Sequence, residues 1–142
     1  MKEIHSYWAY LAVIMLTFAV INSISGLTKK REFTDKDMRI GLFTLIVSHI
    51  QLLIGLGWYF MSPVYKAMKA DSSSIMGNAE TRLLAIEHPL MMLLAIVLIT
   101  IGWSKHKKKD SSSAKFKTFT IFYGIALLFV LSRIPWNQWL QF

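Results

Sequence analysis

Residues 82–103 read RLLAIEHPLMMLLAIVLITIGW, an apolar run broken by one carboxylate and one imidazole near its start. A helix of this length rises about 33 Å at 1.5 Å per residue, enough to cross a hydrocarbon core of about 30 Å. Three more stretches meet the same requirement, at residues 4–25, 39–61 and 118–140. Together the four use most of the 142 residues, which leaves one domain and no soluble module. The 54% hydrophobic content and mean hydropathy of +0.44 agree, since soluble domains hold about 45–50% apolar residues even with glycine counted. The expectation is an all-α integral membrane protein, a four-helix up-down bundle whose short first and third loops make sequential helices antiparallel. The first stretch is read as a retained helix, because no small-residue cleavage site follows it.

Charge placement sets the expected topology. Lys29, Lys30, Arg31, Lys36 and Arg39 crowd the first loop, and Lys105, Lys107, Lys108, Lys109, Lys115 and Lys117 the third. Short cytoplasmic loops collect lysine and arginine, so these two face the cytoplasm and both termini face out. The basic loops suit anionic lipid. They do not suit nucleic acid, because they flank membrane spans and carry no interleaved aromatic platform. Tyr7, Trp8, Tyr10, Trp58, Tyr59, Trp136 and Trp139 read as outer interface anchors and Trp103 as an inner one. In the second loop, Val64–Ala70 is expected to form a short interfacial helix, and Asp71–Ser74 and Gly77–Asn78 to form turns.

There is no cysteine, which excludes disulfides, thiolate metal sites and cysteine-attached haem. Chemistry then rests on the few ionisable groups inside the spans, each expensive enough in lipid to be a functional candidate: His5, His49, Glu87, His88 and Arg133. His106, among lysines, is expected to be solvated. His49 sits deepest, and its imidazole needs partners that the helix backbone is not expected to supply. Thr44, Ser48, Gln51 and Gly55 form a separate stripe of small and polar residues, so His49 and Gln51 are not expected to converge. Pro89 lacks an N–H and leaves the Ala85 carbonyl without its helical partner. Glu87 points away from His88 and is expected to meet Arg133, Arg82 or the headgroups.

Several histidines, an arginine and few carboxylates in one bundle suit haem b. Its iron takes axial histidines, its macrocycle wants an apolar slot and its propionates want a cation such as Arg133. Zinc wants three or four convergent ligands, which are not in view. The plain alternative for each histidine is a hydrogen-bonded structural residue, and for Met92 it is packing.

His5-Ser6-Tyr7-Trp8, His49-Ile50-Gln51-Leu52-Leu53-Ile54-Gly55-Leu56, Glu87-His88-Pro89-Leu90-Met91-Met92 and Arg133-Ile134-Pro135-Trp136 together resemble the small bacterial four-helix membrane proteins named "cytochrome B". The resemblance covers nearly the whole chain. It implies haem ligation by His49 and His88, with His5 as an additional or alternative ligand. A fainter similarity, in Glu80-Thr81-Arg82-Leu83-Leu84 with Pro89-Leu90-Met91, is to the haem-containing type of protoporphyrinogen oxidase. The expected function is a haem-b electron carrier of a bacterial inner membrane, beside a larger respiratory or redox complex. The alternatives are a cofactor-free accessory subunit and an enzyme of porphyrin metabolism or a small transporter.

Overall fold

A computed structural model describes residues 2–136. The expected last turns of the fourth span and the Trp139 anchor lie outside them. The chain forms α1 (Lys2–Thr28), α2 (Asp35–Met61), α3 (Pro63–Ala70), α4 (Ser72–Met76), α5 (Ala79–Arg82), a π-helical turn (Leu83–Glu87), α6 (His88–His106) and α7 (Ser112–Arg133). No strand occurs among the described residues. Four continuous helical stretches are long and apolar enough to cross a membrane: Glu3–Thr28, Asp35–Met61, Ala79–His106 and Ser112–Arg133. Packing runs round a ring from α1 to α2, α6 and α7 and back to α1, with α6–α7 the closest pair and α2–α6 the thinnest seam. Large apolar side chains such as Ile14, Ile21, Leu53 and Leu128 point outward, as lipid demands and water forbids. This is a multi-pass membrane protein.

The helices run further toward the basic loops than hydropathy alone suggests, because polar caps extend them. Ser111 caps α7, its hydroxyl accepting from the Ala114 N–H, so that helix starts six residues before the expected Thr118. It ends at Arg133, because Pro135 forces Ile134 out of helical geometry (ψ 134°). In the second loop the expected interfacial helix forms as α3. Asp71–Ser74 is not a plain turn: Asp71 caps α4 by accepting from Ser73.

The core lies between α1, α6 and α7, where Leu16, Ala19 and Val20 meet Ala95, Ile99, Phe119, Tyr123 and Ala126. Two glycines let helices close on this core. A Cβ on Gly26 would stand 2.5 Å from the Phe116 ring, and one on Gly41 would stand 2.7 Å from the Phe119 ring. The Tyr123 hydroxyl crosses the bundle to donate to the Gly41 carbonyl at 2.9 Å.

The basic loops are tied together. Phe33 inserts between Phe116, Phe119 and His106, and its N–H donates to the Ser112 hydroxyl. His106 is therefore not solvated. It is 3% exposed, packed against Trp103 and Phe119, with Nδ1 donating to the Trp103 carbonyl.

Pro89 does not leave a broken helix. The turn before it widens to a π turn, and the Tyr59 hydroxyl donates to the freed Ala85 carbonyl at 2.7 Å. Replacing Tyr59 by Phe strips that carbonyl and should cost about 1–2 kcal/mol. A Pro89→Ala background restores an N–H and should absorb most of the loss. Thermal unfolding of the two singles and the double in detergent checks this, and an equal cost in both backgrounds would refute it.

Candidate functional site

At the end of the bundle opposite the basic loops, all four spanning segments contribute to one apolar cavity of about 190 Å³, open on one flank. Its wall carries His5 and Ala9 from α1, Gln51, Gly55 and Trp58 from α2, His88 and Met92 from α6, and Ile134 just beyond α7. The polar groups on this wall are held in place from behind. His88 Nδ1 donates to the Arg133 carbonyl at 2.8 Å, a carbonyl that the Pro135 break leaves outside the helical ladder. In a neutral imidazole, the Nε2 of His88 is then the bare acceptor. The Gln51 amide donates to the His5 carbonyl at 2.9 Å and to His5 Nδ1 at 3.0 Å. The His5 ring stacks on Trp58 (ring centres 5.7 Å apart, planes 19° apart) and meets His88 edge-on at 6.3 Å and 89°. Gly55 makes room for it, since a Cβ there would stand 3.0 Å from His5 Cε1.

One polar atom in this wall is left over. Gln51 Oε1 is buried and has no hydrogen-bond partner, the only such side-chain atom among the described residues. A buried acceptor left bare is costly, so a donor from a bound molecule, a water or a rearranged neighbour belongs beside it.

His49 lies elsewhere. Its Nδ1 donates to the Leu45 carbonyl one turn back (2.8 Å), and its Nε2 is 3.4 Å from the Thr100 hydroxyl across the α2–α6 seam. The helix backbone thus does supply a partner, contrary to expectation. Thr100 lies about 18 Å along α6 from His88, at 1.5 Å per residue, whereas two axial nitrogens on one iron stand about 4 Å apart. His49 and His88 therefore do not converge, and the imidazole that meets His88 is that of His5. His49 and Gln51 are separate, as the helix faces suggest.

Arg133 meets Glu87 rather than the cavity. Its Nε is 3.8 Å from Glu87 Oε1, while Arg82 holds Glu87 Oε2 at 3.1 Å. All three side chains are half-exposed, so this triad is a surface cluster of small energetic weight. The cation expected for a propionate already has a carboxylate; what Arg133 gives the cavity is its backbone carbonyl.

No protein family, curated protein or solved structure matches this chain. The resemblance to the "cytochrome B" proteins rests on the quoted residues alone.

Sequence reading placed Trp58 and Tyr59 at this end only as interface anchors and read Gln51 as helix packing, missing all three as parts of the cavity wall. It also took Trp8 for an interface anchor, whereas its indole donates to the Val47 carbonyl at 2.9 Å and ties α1 to α2. The signal for Gln51 was present: it is the only glutamine in the four spanning helices among the described residues, with four groups to satisfy at membrane depth.

The arrangement can be tested against haem. The distance fits: two imidazoles on one metal, with bonds of about 2.0 Å, put the ring centres about 6 Å apart, and 6.3 Å is found. His88 fits, since metal-bound histidines commonly donate their other N–H to a backbone carbonyl. His5 fits once its proton sits on Nδ1. The Gln51 amide turned over would then offer its unpartnered Oε1 to that N–H, at the cost of its present hydrogen bond to the His5 carbonyl. The enclosed volume is smaller than the 300–1,000 Å³ (approximately) of pockets that surround drug-sized ligands.

Proposed function

We propose that this protein binds haem b through His5 and His88 and serves as an electron carrier of a bacterial inner membrane. The observation that carries the reading is the meeting of two imidazoles from different helices in an apolar cavity, with a spare buried acceptor behind one of them. Haem would supply one-electron chemistry at that position. The chain itself anchors His88 through the Arg133 carbonyl, seats His5 between Gln51 and Trp58, and keeps the cavity wall apolar. By the placement of the lysines, both termini and the cavity are on the outer side. With so little mass outside the bilayer, its donor or acceptor is a larger respiratory or redox complex.

One observation favours a second reading. His5 ties α1 to α2, and His88 ties α6 to the end of α7, so both also act as interhelical links in a cofactor-free accessory subunit. A visible spectrum of protein purified in mild detergent separates the two. The proposal expects a Soret band and a b-type α band on reduction. Colourless, fully folded protein, purified with its native complex intact, would leave the accessory-subunit reading standing.

A further inference from the structure

The opposite end of the bundle carries a second cavity, of about 330 Å³, between the end of α6 and the start of α7. Lys105, Lys109 and Lys117 line it together with Ala114, Thr118, Ile121 and Phe122. Among the described residues no carboxylate lies within ion-pair distance of the three lysines. Three ammonium groups around one hollow repel one another and leave a positive potential that an anion would relieve. The Lys105 ammonium lies over the Phe122 ring, 5.4 Å from its centre, which holds the charge at the rim of the hollow. The first turn of α7 adds the positive end of a helix dipole from the Ala114 side.

The walls below this rim are apolar in a directed way. One turn deeper than Lys105 on the same face of α6 stands Ile101, 37% exposed. One and two turns beyond Lys117 on α7 stand Ile121 and Ile125, 44% and 39% exposed. A basic hollow thus opens onto an apolar track that runs into the membrane between two closely packed helices. A free inorganic anion has no use for the track, and a neutral lipid has no use for three unpaired lysines.

We infer that the inner end of the α6–α7 hairpin is a binding site for one anionic phospholipid, its phosphate among Lys105, Lys109 and Lys117 and its acyl chain along Ile101, Ile121 and Ile125. Basic pockets between spanning helices on the cytoplasmic side take such headgroups. The site is independent of the haem reading, because it shares no residue with the outer cavity.

Native mass spectrometry of the full chain, released from micelles doped with equal amounts of phosphatidylglycerol and phosphatidylcholine, tests this. One phosphatidylglycerol should remain bound, with phosphatidylcholine retained about tenfold less. Lys105→Gln with Lys117→Gln should reduce phosphatidylglycerol to the phosphatidylcholine level. Lys29→Gln with Lys30→Gln, the same loss of charge in the other basic loop, should leave it unchanged. All four lysines are exposed, so both variants should fold, which an unchanged melting temperature verifies. Equal retention of both lipids, or equal loss in both variants, would show diffuse charge attraction and overturn the site. Displacement of the lipid by millimolar inorganic phosphate would overturn it too, by reducing it to a simple anion hollow.

Discussion

If the protein carries the proposed haem, alanine at His88 should remove essentially all of its Soret absorbance, alanine at His5 should remove most of it, and alanine at His49 should leave it in place. That is the result expected from the cavity, and it differs from what the sequence resemblance implies, in which His49 is a ligand. His88 has the larger effect because its Nδ1 is already committed to the Arg133 carbonyl and its Nε2 stands bare. His5 must first exchange its Nδ1 partner from the Gln51 amide nitrogen to Oε1. Gln51→Leu removes that acceptor without touching either ring. It should weaken haem retention by about 10–100-fold, the usual cost of losing a group that orients a metal ligand. Gly55→Leu should act through His5 alone, since its side chain would occupy the space now taken by Cε1. Full loss of the spectrum in His49→Ala, with the spectrum of His5→Ala intact, would refute the assignment and return the ligand to the α2–α6 seam.

The reason the sequence pointed at His49 is instructive. Hydropathy gives depth along one helix, and the 3.6-residue period gives the face of one helix. The face was read correctly on α2, where Gln51 and His49 do point apart. Neither gives the rotation of one helix against another or the axial register between them. That register, set by contacts such as Trp8 to Val47 and Tyr59 to Ala85, decides that Gln51 meets His5. The Pro89 signal shows the same limit: it announces a freed Ala85 carbonyl, but not that Tyr59 takes it. The Glu87 partners were legible, and both named arginines are there. The four apolar lengths were legible because lipid imposes them on each helix separately. His106 misled because its neighbours in sequence are lysines, while its neighbours in space are Phe33, Trp103 and Phe119.

The largest effect on folding should come from a residue the sequence did not mark. Asp37, in the first turn of α2, is buried with a side chain only 2% exposed. Its carboxylate accepts from Asn22 Nδ2 at 2.9 Å, the Thr34 N–H at 2.9 Å, the Thr34 hydroxyl at 3.0 Å and Arg31 at 3.1 Å. One side chain thus closes the first loop, caps α2 and ties it to α1. Asp37→Ala leaves Asn22 and the Thr34 N–H without an acceptor at a site that water barely reaches. The loss should be about 3–5 kcal/mol, the scale for removing one member of a buried charged network. Arg31→Ala should cost far less, about 1 kcal/mol, because Arg31 is 39% exposed and Asp37 keeps its other donors. The asymmetry is the test. A simple surface ion pair would give two small and equal losses, whereas a buried carboxylate serving as a hub gives a large loss from its own removal only. Unfolding of both variants in a denaturing-detergent titration measures it. Equal losses, or a loss below about 1 kcal/mol for Asp37→Ala, would mean that the loop holds its shape through Phe33 and the caps alone.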